Sequence, residues 1–311
     1  MAVPTEFSFG RYLAAKRTVD DRALNLRVWQ ALADQLSGGA PAGPLRVLEL
    51  GAGVGTMIER AVEWGLFPGD VVYTALDAQP ENVEEARRRL PAWAARRGFD
   101  VQQRGEALVL SEGERRLTVQ LEPRDVFEFA AAEAGRRAWD LMIANAFMDL
   151  VNIPAALPTL FALLRPGGLF YFTITFDGVT AFGPPVDPAL DAQIERLYHA
   201  DMNARRFDGL PTGGSRAGRD LLQHLLASPA QVLEAGASDW VVVPGPAGYL
   251  ADEAYFLHFI VHTIEGALTG HAALDADAFA AWVERRHRQI EAAELVYIAH
   301  QLDVLGRLPR P

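Results

Sequence analysis

The chain has 311 residues, half of them apolar, which is enough for one large domain or one domain with a substantial insertion. It contains no cysteine, so disulfides, thiolate zinc sites and cysteine nucleophiles are excluded. A net charge of −11 argues against a nucleic-acid partner, because that affinity comes largely from neutralising phosphates.

The N-terminus carries Glu6, Arg11, Lys16 and Arg17 without the apolar stretch of a secretory signal. No window approaches the roughly 18 unbroken apolar residues of a membrane span. The expectation is a cytoplasmic globular protein with no membrane partner. Residues 5–36 read as helical, with Val19-Asp20-Asp21 starting a second helix from Arg22 to Leu36. Lys16 is the only lysine among 29 basic residues. Codon preference for arginine accounts for that, or a site that needs a compact ammonium. Ser37 to Pro44 is a linker by composition.

Arg46 to Leu50 reads as a buried strand, and Thr56 to Trp64 as a helix. Between them stands Gly51-Ala52-Gly53-Val54-Gly55, a turn whose glycines allow positive φ and close approach of a ligand to backbone. A helix start beyond it offers unpaired N–H groups. Strand Val71 to Leu76 ends in Asp77 and leads to a helix from Glu81 to Arg97. Ala107 to Leu110 and Arg115 to Leu121 form a hairpin, followed by Asp125. Strand Asp140 to Ala144, helix Pro154 to Leu164, the Arg165–Gly168 turn and strand Leu169 to Phe176 follow. After Phe176 the alternation breaks into a loop, a helix from Asp187-Pro188 and a Gly-rich segment to Gly218. Helix Arg219 to Ala227, strand material in Val232 to Val243, helices Asp252 to Leu268 and Asp275 to Glu291, and a final strand Leu295 to Leu305 complete the chain.

The pattern predicts an α/β fold: a doubly wound, mostly parallel seven-stranded sheet with helices on both faces and a mainly helical cap built from inserts. Residues 1–40 would form an N-terminal helical cover, 41–176 the core, 177–218 a first insert, 219–247 more core, 248–292 a second helical insert and 293–311 the final core strand.

The glycine turn departs from the dinucleotide fingerprint, because its third small position is Thr56 and the extra glycine is Gly55. Glu49-x-Gly-x-Gly-x-Gly resembles the first motif of the class I S-adenosylmethionine-dependent methyltransferases. The resemblance covers residues 45–176 and, less closely, the final strand, leaving out both inserts. It implies S-adenosyl-L-methionine as cofactor and S-adenosyl-L-homocysteine as product. It further implies cofactor contacts from Glu49, Gly51, Ala52 and Gly53, from Asp77 and Ala78 at the ribose, from Asp125 and Val126 at the adenine, and from Asn145 beside the methyl group. Tyr12, Lys16 or Arg22 would reach the cofactor from the N-terminal cover. The Asn/Asp-Pro-Pro-Tyr/Phe signature is absent, since Ala146 and Phe147 hold the proline positions, which disfavours a DNA or glutamine substrate.

The acceptor is then a small molecule, methylated at oxygen or nitrogen, with Phe147, Asp149, Tyr198, Arg216, Tyr255 and Glu265 expected around it. On the second insert Tyr255, His258, His262 and Glu265 form a stripe without arginine, which suits a pocket wall. His258, His262 and His199 are the candidate proton acceptors. His258 and His262 with Glu265 could supply part of a metal shell, yet nothing else ties a ligand to them, and no metal is implied. His287 is expected to face solvent. Pro211 to Arg216 looks able to cradle an anion. A non-catalytic cofactor-binding or protein-interaction module is the alternative, with a nicotinamide oxidoreductase behind it. The oligomeric state is open, a homodimer being one option.

Overall fold

A computed structural model describes residues 2–38, 43–133, 135, 136 and 139–310. The middle of the expected linker, residues 39–42, lies outside the described residues. The chain opens with helices α1 (Phe9–Ala15), α2 (Arg17–Ala23) and α3 (Leu26–Gly38). The core follows: β1 (Leu45–Leu50), α4 (Thr56–Glu63), β2 (Val71–Asp77), α5 (Pro80–Arg96), β3 (Asp100–Arg104), β4 (Ala107–Glu112), β5 (Arg115–Pro123), α6 (Val126–Ala132), β6 (Trp139–Asn145), α7 (Ile153–Phe161) and β7 (Leu164–Gly183). Next come α8 (Pro188–Ala204), the short pair β8 (Arg206–Phe207) and β9 (Leu210–Pro211), α9 (Ala217–Leu226), β10 (Gln231–Ala237) and β11 (Trp240–Val242). Helices α10 (Glu253–Leu268) and α11 (Ala276–Glu291) precede β12 (Val296–Arg307).

Five strands pair in parallel in the order β5-β2-β1-β6-β7. Their near-continuous apolar runs fit strands covered on both faces. Alternation along β1 sends Val47 to one core cluster and Leu48 and Leu50 to the other. β12 returns antiparallel against β7, and β10 pairs antiparallel with β12. These are the seven expected strands. Among the described residues the sheet holds ten, because β3 and β4 extend one edge and β11 adds to β12.

The differences from expectation have local causes. β3 is polar along most of its length, an edge strand without an apolar signal. β7 does not stop at Phe176 but continues to Gly183, held by pairs such as Phe182 with Tyr297. The strand material near 232–243 is two strands separated at Ser238-Asp239. Asp20 does not start a helix; it lies inside α2, and the break comes at Asn25, whose Oδ1 caps α3 by accepting from the N–H groups of Arg27 and Val28. Helix α6 was not foreseen, although Asp125 is its N-cap. No helix among the described residues is long and apolar enough to cross a membrane.

Candidate active site

Where the strand order reverses between β1 and β6, an open α/β sheet forms a crevice beyond the strands' carboxyl ends. The turn after β1 fills that position. Gly51, Gly53 and Gly55 have φ of 64°, 55° and 83°, a region that penalises any Cβ. A Cβ on Gly51 would stand 2.9 Å from Phe147 Cδ2, and one on Gly53 would stand 3.1 Å from Leu13 Cδ1. The bare backbone is thus covered only by the ends of two side chains. Asp77, at the end of β2, braces the turn: Oδ2 accepts from Gly53 N at 2.8 Å. Its Oδ1 accepts from Gln79 N at 2.9 Å and Asn82 Nδ2 at 3.0 Å. A carboxylate offers about four lone-pair sites, so one on Oδ2 is left for a ligand hydroxyl. Ala78 beside it is exposed.

The alternation of β1 turns Glu49 into the core, 2% exposed, where Tyr73 Oη donates to Oε2 at 2.8 Å. Burial raises its carboxyl to about 8, although the Tyr73 hydroxyl and Arg60 pull it down. Asp125 spends Oδ1 on the N–H groups of Phe127 and Glu128 as a helix cap, and Val126 is buried in the core.

On the β6 side a fully buried carboxylate joins three parts of the chain. Asp20 Oδ2 accepts from Lys16 Nζ at 2.6 Å and from Asn145 Nδ2 at 3.3 Å, while Oδ1 accepts from Trp240 Nε1 at 2.9 Å. Thr173 Oγ1 donates to Asn145 Oδ1 at 2.8 Å and holds the amide in place. The single lysine is therefore part of a buried ion pair, with two of its three donors remaining for a ligand. Sequence reasoning missed Asp20 and Trp240. The Lys16/Asp20 spacing of four on an otherwise apolar helix face was the available signal.

Asp149, four residues past Asn145, lies in a single 3₁₀ turn. Burial raises its carboxyl to about 6, opposed by its own backbone N–H and by Lys16 and Arg205. Its Oδ1 is shut off from solvent without a hydrogen-bond partner among the described residues. Tyr12, Tyr198 and Asp149 are largely surrounded by protein, and each keeps some accessible surface. Tyr12 stacks between Phe256 and Phe259, with centroids at 5.7 and 4.3 Å, and so docks α1 on α10.

The remaining expected site residues are dispersed. His258 is fully buried, its Nδ1 2.8 Å from Nδ1 of His287, because α11 packs over its position on α10. His287 is accordingly buried rather than exposed, and burial lowers its pKa to about 4. Tyr255 is buried as well, its hydroxyl 2.6 Å from Ser8 N. His262 stacks on Phe7 at 4.0 Å, with Glu265 3.7 Å away, on the half-exposed side of α10. His199 lies 3.1 Å from Thr180 Oγ1, turned away from neighbouring Tyr198's surroundings, and burial lowers its pKa. The three candidate histidines thus occupy three separate places, and none contacts Asn145 or Asp149. Arg216 is exposed. The segment expected to cradle an anion is instead a brace: Ser215 N and Oγ donate to Asn203 Oδ1, and Gly213 packs against Asp149 Cα. Among the described residues no group of three or more His, Asp or Glu could hold a metal ion.

A central parallel sheet, a glycine turn at its reversal and an acid at the next strand end define a Rossmann-like, cofactor-binding α/β protein. A family model described as "Methyltransferase domain" matches residues 21–209, more than half of the chain. The chain belongs to that methyltransferase family. No curated protein matches it. Solved structures that resemble it include an S-adenosylmethionine-dependent methyltransferase from Thiobacillus denitrificans in complex with S-adenosyl-L-homocysteine, at 17% identity and TM-score 0.42, covering 98% of this chain and 99% of that one. A second is the plantazolicin methyltransferase BpumL in complex with S-adenosylhomocysteine, at 12% identity and TM-score 0.42, covering 96% and 86%. A third is Haemonchus contortus phosphoethanolamine N-methyltransferase 2, at 11% identity and TM-score 0.44; it covers 98% of this chain but 59% of that one.

Proposed function

We propose that this protein is a cytoplasmic enzyme that transfers a methyl group from S-adenosylmethionine to an oxygen or nitrogen of a small molecule held beneath α1, α8 and α10. The observation that carries the reading is the Gly51–Gly55 backbone at the sheet's reversal point, with Asp77 Oδ2 bonded to Gly53 N. The residues present fit the cofactor. Gly51, Ala52 and Gly53 would take its methionine and ribose portion, Asp77 with Ala78 the ribose hydroxyls, and Asp125 with Val126 the adenine. A ligand lying on this backbone takes the place of the Phe147 and Leu13 side-chain ends. When bound, the cofactor supplies an electrophilic methyl group. The protein's task is then to orient the acceptor, exclude water and hold or move one proton.

Asn145, held by Thr173 and Asp20, would contact the methyl-bearing end, and Lys16 has donors to spare for a ligand carboxylate. Phe147, Asp149 and Tyr198 would line the acceptor space. The net charge of −11 supports a small-molecule rather than a nucleic-acid acceptor. Titration calorimetry tests the reading: S-adenosylhomocysteine should bind and NADH should not. Binding of NADH alone would point to an oxidoreductase instead.

A further inference from the structure

We propose that the acceptor is a cationic amine, and that the Asp149 carboxylate anchors its ammonium group. This rests on the methyl-donor reading above and narrows the acceptor class. The 3₁₀ turn carrying Asp149 follows β6, the parallel neighbour of β1, so it stands at the same end of the sheet as the glycine turn. Gly213 fixes it there, since a Cβ at that position would stand 3.1 Å from both Asp149 Cα and Met148 O.

Charge around Asp149 is not balanced. Lys16 is committed to Asp20 at 2.6 Å, and Arg205 to Asp201 at 2.9 Å. Two cations against three carboxylates leave one negative charge, and Asp149 is the carboxylate without a salt-bridge partner among the described residues. Its Oδ1 is also without a hydrogen bond. A carboxylate oxygen shut off from solvent in that condition is costly unless something pairs with it.

Two tyrosine hydroxyls also lie within electrostatic reach of it. Tyr12 comes from α1 and Tyr198 from α8, with Tyr297 of β12 close to both. Tyr12 is stacked on both Phe256 and Phe259, and the Arg205 guanidinium lies 5.8 Å from the Tyr198 ring centroid. A carboxylate pairs with a cation, whereas an anionic acceptor would meet repulsion. An ammonium bound there first gives up one proton to the Asp149 carboxylate. The free nitrogen lone pair then forms the N–C bond as the methyl's C–S bond breaks, its electron pair leaving on sulfur.

The test uses the full chain, with and without saturating S-adenosylhomocysteine, and three probes of one shape: phenethylamine, phenethyl alcohol and phenylacetate. Calorimetry should show the amine binding at least tenfold more tightly than the alcohol, with phenylacetate weakest. Asp149→Asn should erase the preference while keeping the affinity for S-adenosylhomocysteine, and Asp149→Glu should retain it. Equal binding of amine and alcohol, a preference surviving in Asp149→Asn, or no binding of the amine at millimolar concentration overturns the proposal. Failure of S-adenosylhomocysteine to bind counts against the methyl-donor reading instead, and the amine titration without it still tests Asp149. Should Asp149→Asn not fold, the probe comparison on the unaltered chain decides.

Discussion

Trp240 Nε1 donates a 2.9 Å hydrogen bond to Asp20 Oδ1 across 220 positions of sequence, and the same carboxylate holds Lys16 and Asn145. One side chain thereby fastens the N-terminal cover to β11 and to the end of β6. Asp20→Ala leaves the Lys16 ammonium buried without a counter-charge, and breaking a buried pair this way costs about 3–5 kcal/mol. Trp240→Phe removes a single bond to a charged acceptor and should cost about 1.5–3 kcal/mol. Urea unfolding at neutral pH checks both. A loss for Asp20→Ala no larger than that for Trp240→Phe would show that Lys16 is not held as described.

Gly51→Ala should weaken S-adenosylhomocysteine binding roughly tenfold or more, equivalent to about 1.4 kcal/mol. Its φ of 64° costs a Cβ about 1–2 kcal/mol, and that Cβ projects over the backbone where the ligand would lie. Gly98→Ala is the control. Its φ is 89° but nothing stands within 4 Å of a Cβ there, so stability should fall while affinity holds. Equal affinity loss in both variants would mean that strain, not proximity, explains the effect.

The parts of the site that local chemistry determines were legible in the sequence. Gly51, Gly53 and Gly55 are demanded by a turn that only glycine makes without strain, and Asp77 follows an unbroken apolar strand. Contacts between distant segments were not. His258 and His287 are 29 positions apart on different helices, and the wheel of α10 marks a polar stripe without saying what faces it. Asp149 and Tyr198 could be placed near the acceptor from topology, but the brace from Gly213 and the tie from Asp20 depend on how β11 and the Gly-rich segment pack. Glu49, expected at the cofactor from the motif, is buried against the Tyr73 hydroxyl. Strand alternation, readable in the same residues, turns its side chain into the core.

Glu49→Gln should stabilise the protein at mildly alkaline pH. Burial holds the folded-state carboxyl at about 8, above its ordinary value of 4.5. A group raised in this way favours folding below its unfolded value, and that contribution is lost as pH rises through the folded value. Glutamine keeps an oxygen for the Tyr73 hydroxyl and removes the ionisation. At about pH 8 the variant should exceed the parent chain by roughly 2–4 kcal/mol in denaturant unfolding, and the two should converge near about pH 4. A pH-independent difference would show that Glu49 does not titrate in this range.

The His258–His287 contact joins α10 to α11 and predicts the opposite pH trend. An Nδ1–Nδ1 bond at 2.8 Å needs one ring to donate and the other to accept, so it survives only while at least one ring is neutral. Burial and the neighbouring His258 hold His287 near 4, below the ordinary histidine value of 6.5; Glu265 and Glu291 oppose this and His262 reinforces it. The unfolded chain therefore takes up a proton first, and stability is full above about pH 6.5 and lost as pH falls toward about 4. Allowing for partial solvent access, the loss between about pH 7 and about pH 5 should be about 1 kcal/mol from this group. His287→Gln retains a hydrogen-bonding partner for His258 and does not titrate, so its unfolding free energy should fall less over the same interval. Identical slopes for the two proteins would locate the acid sensitivity elsewhere.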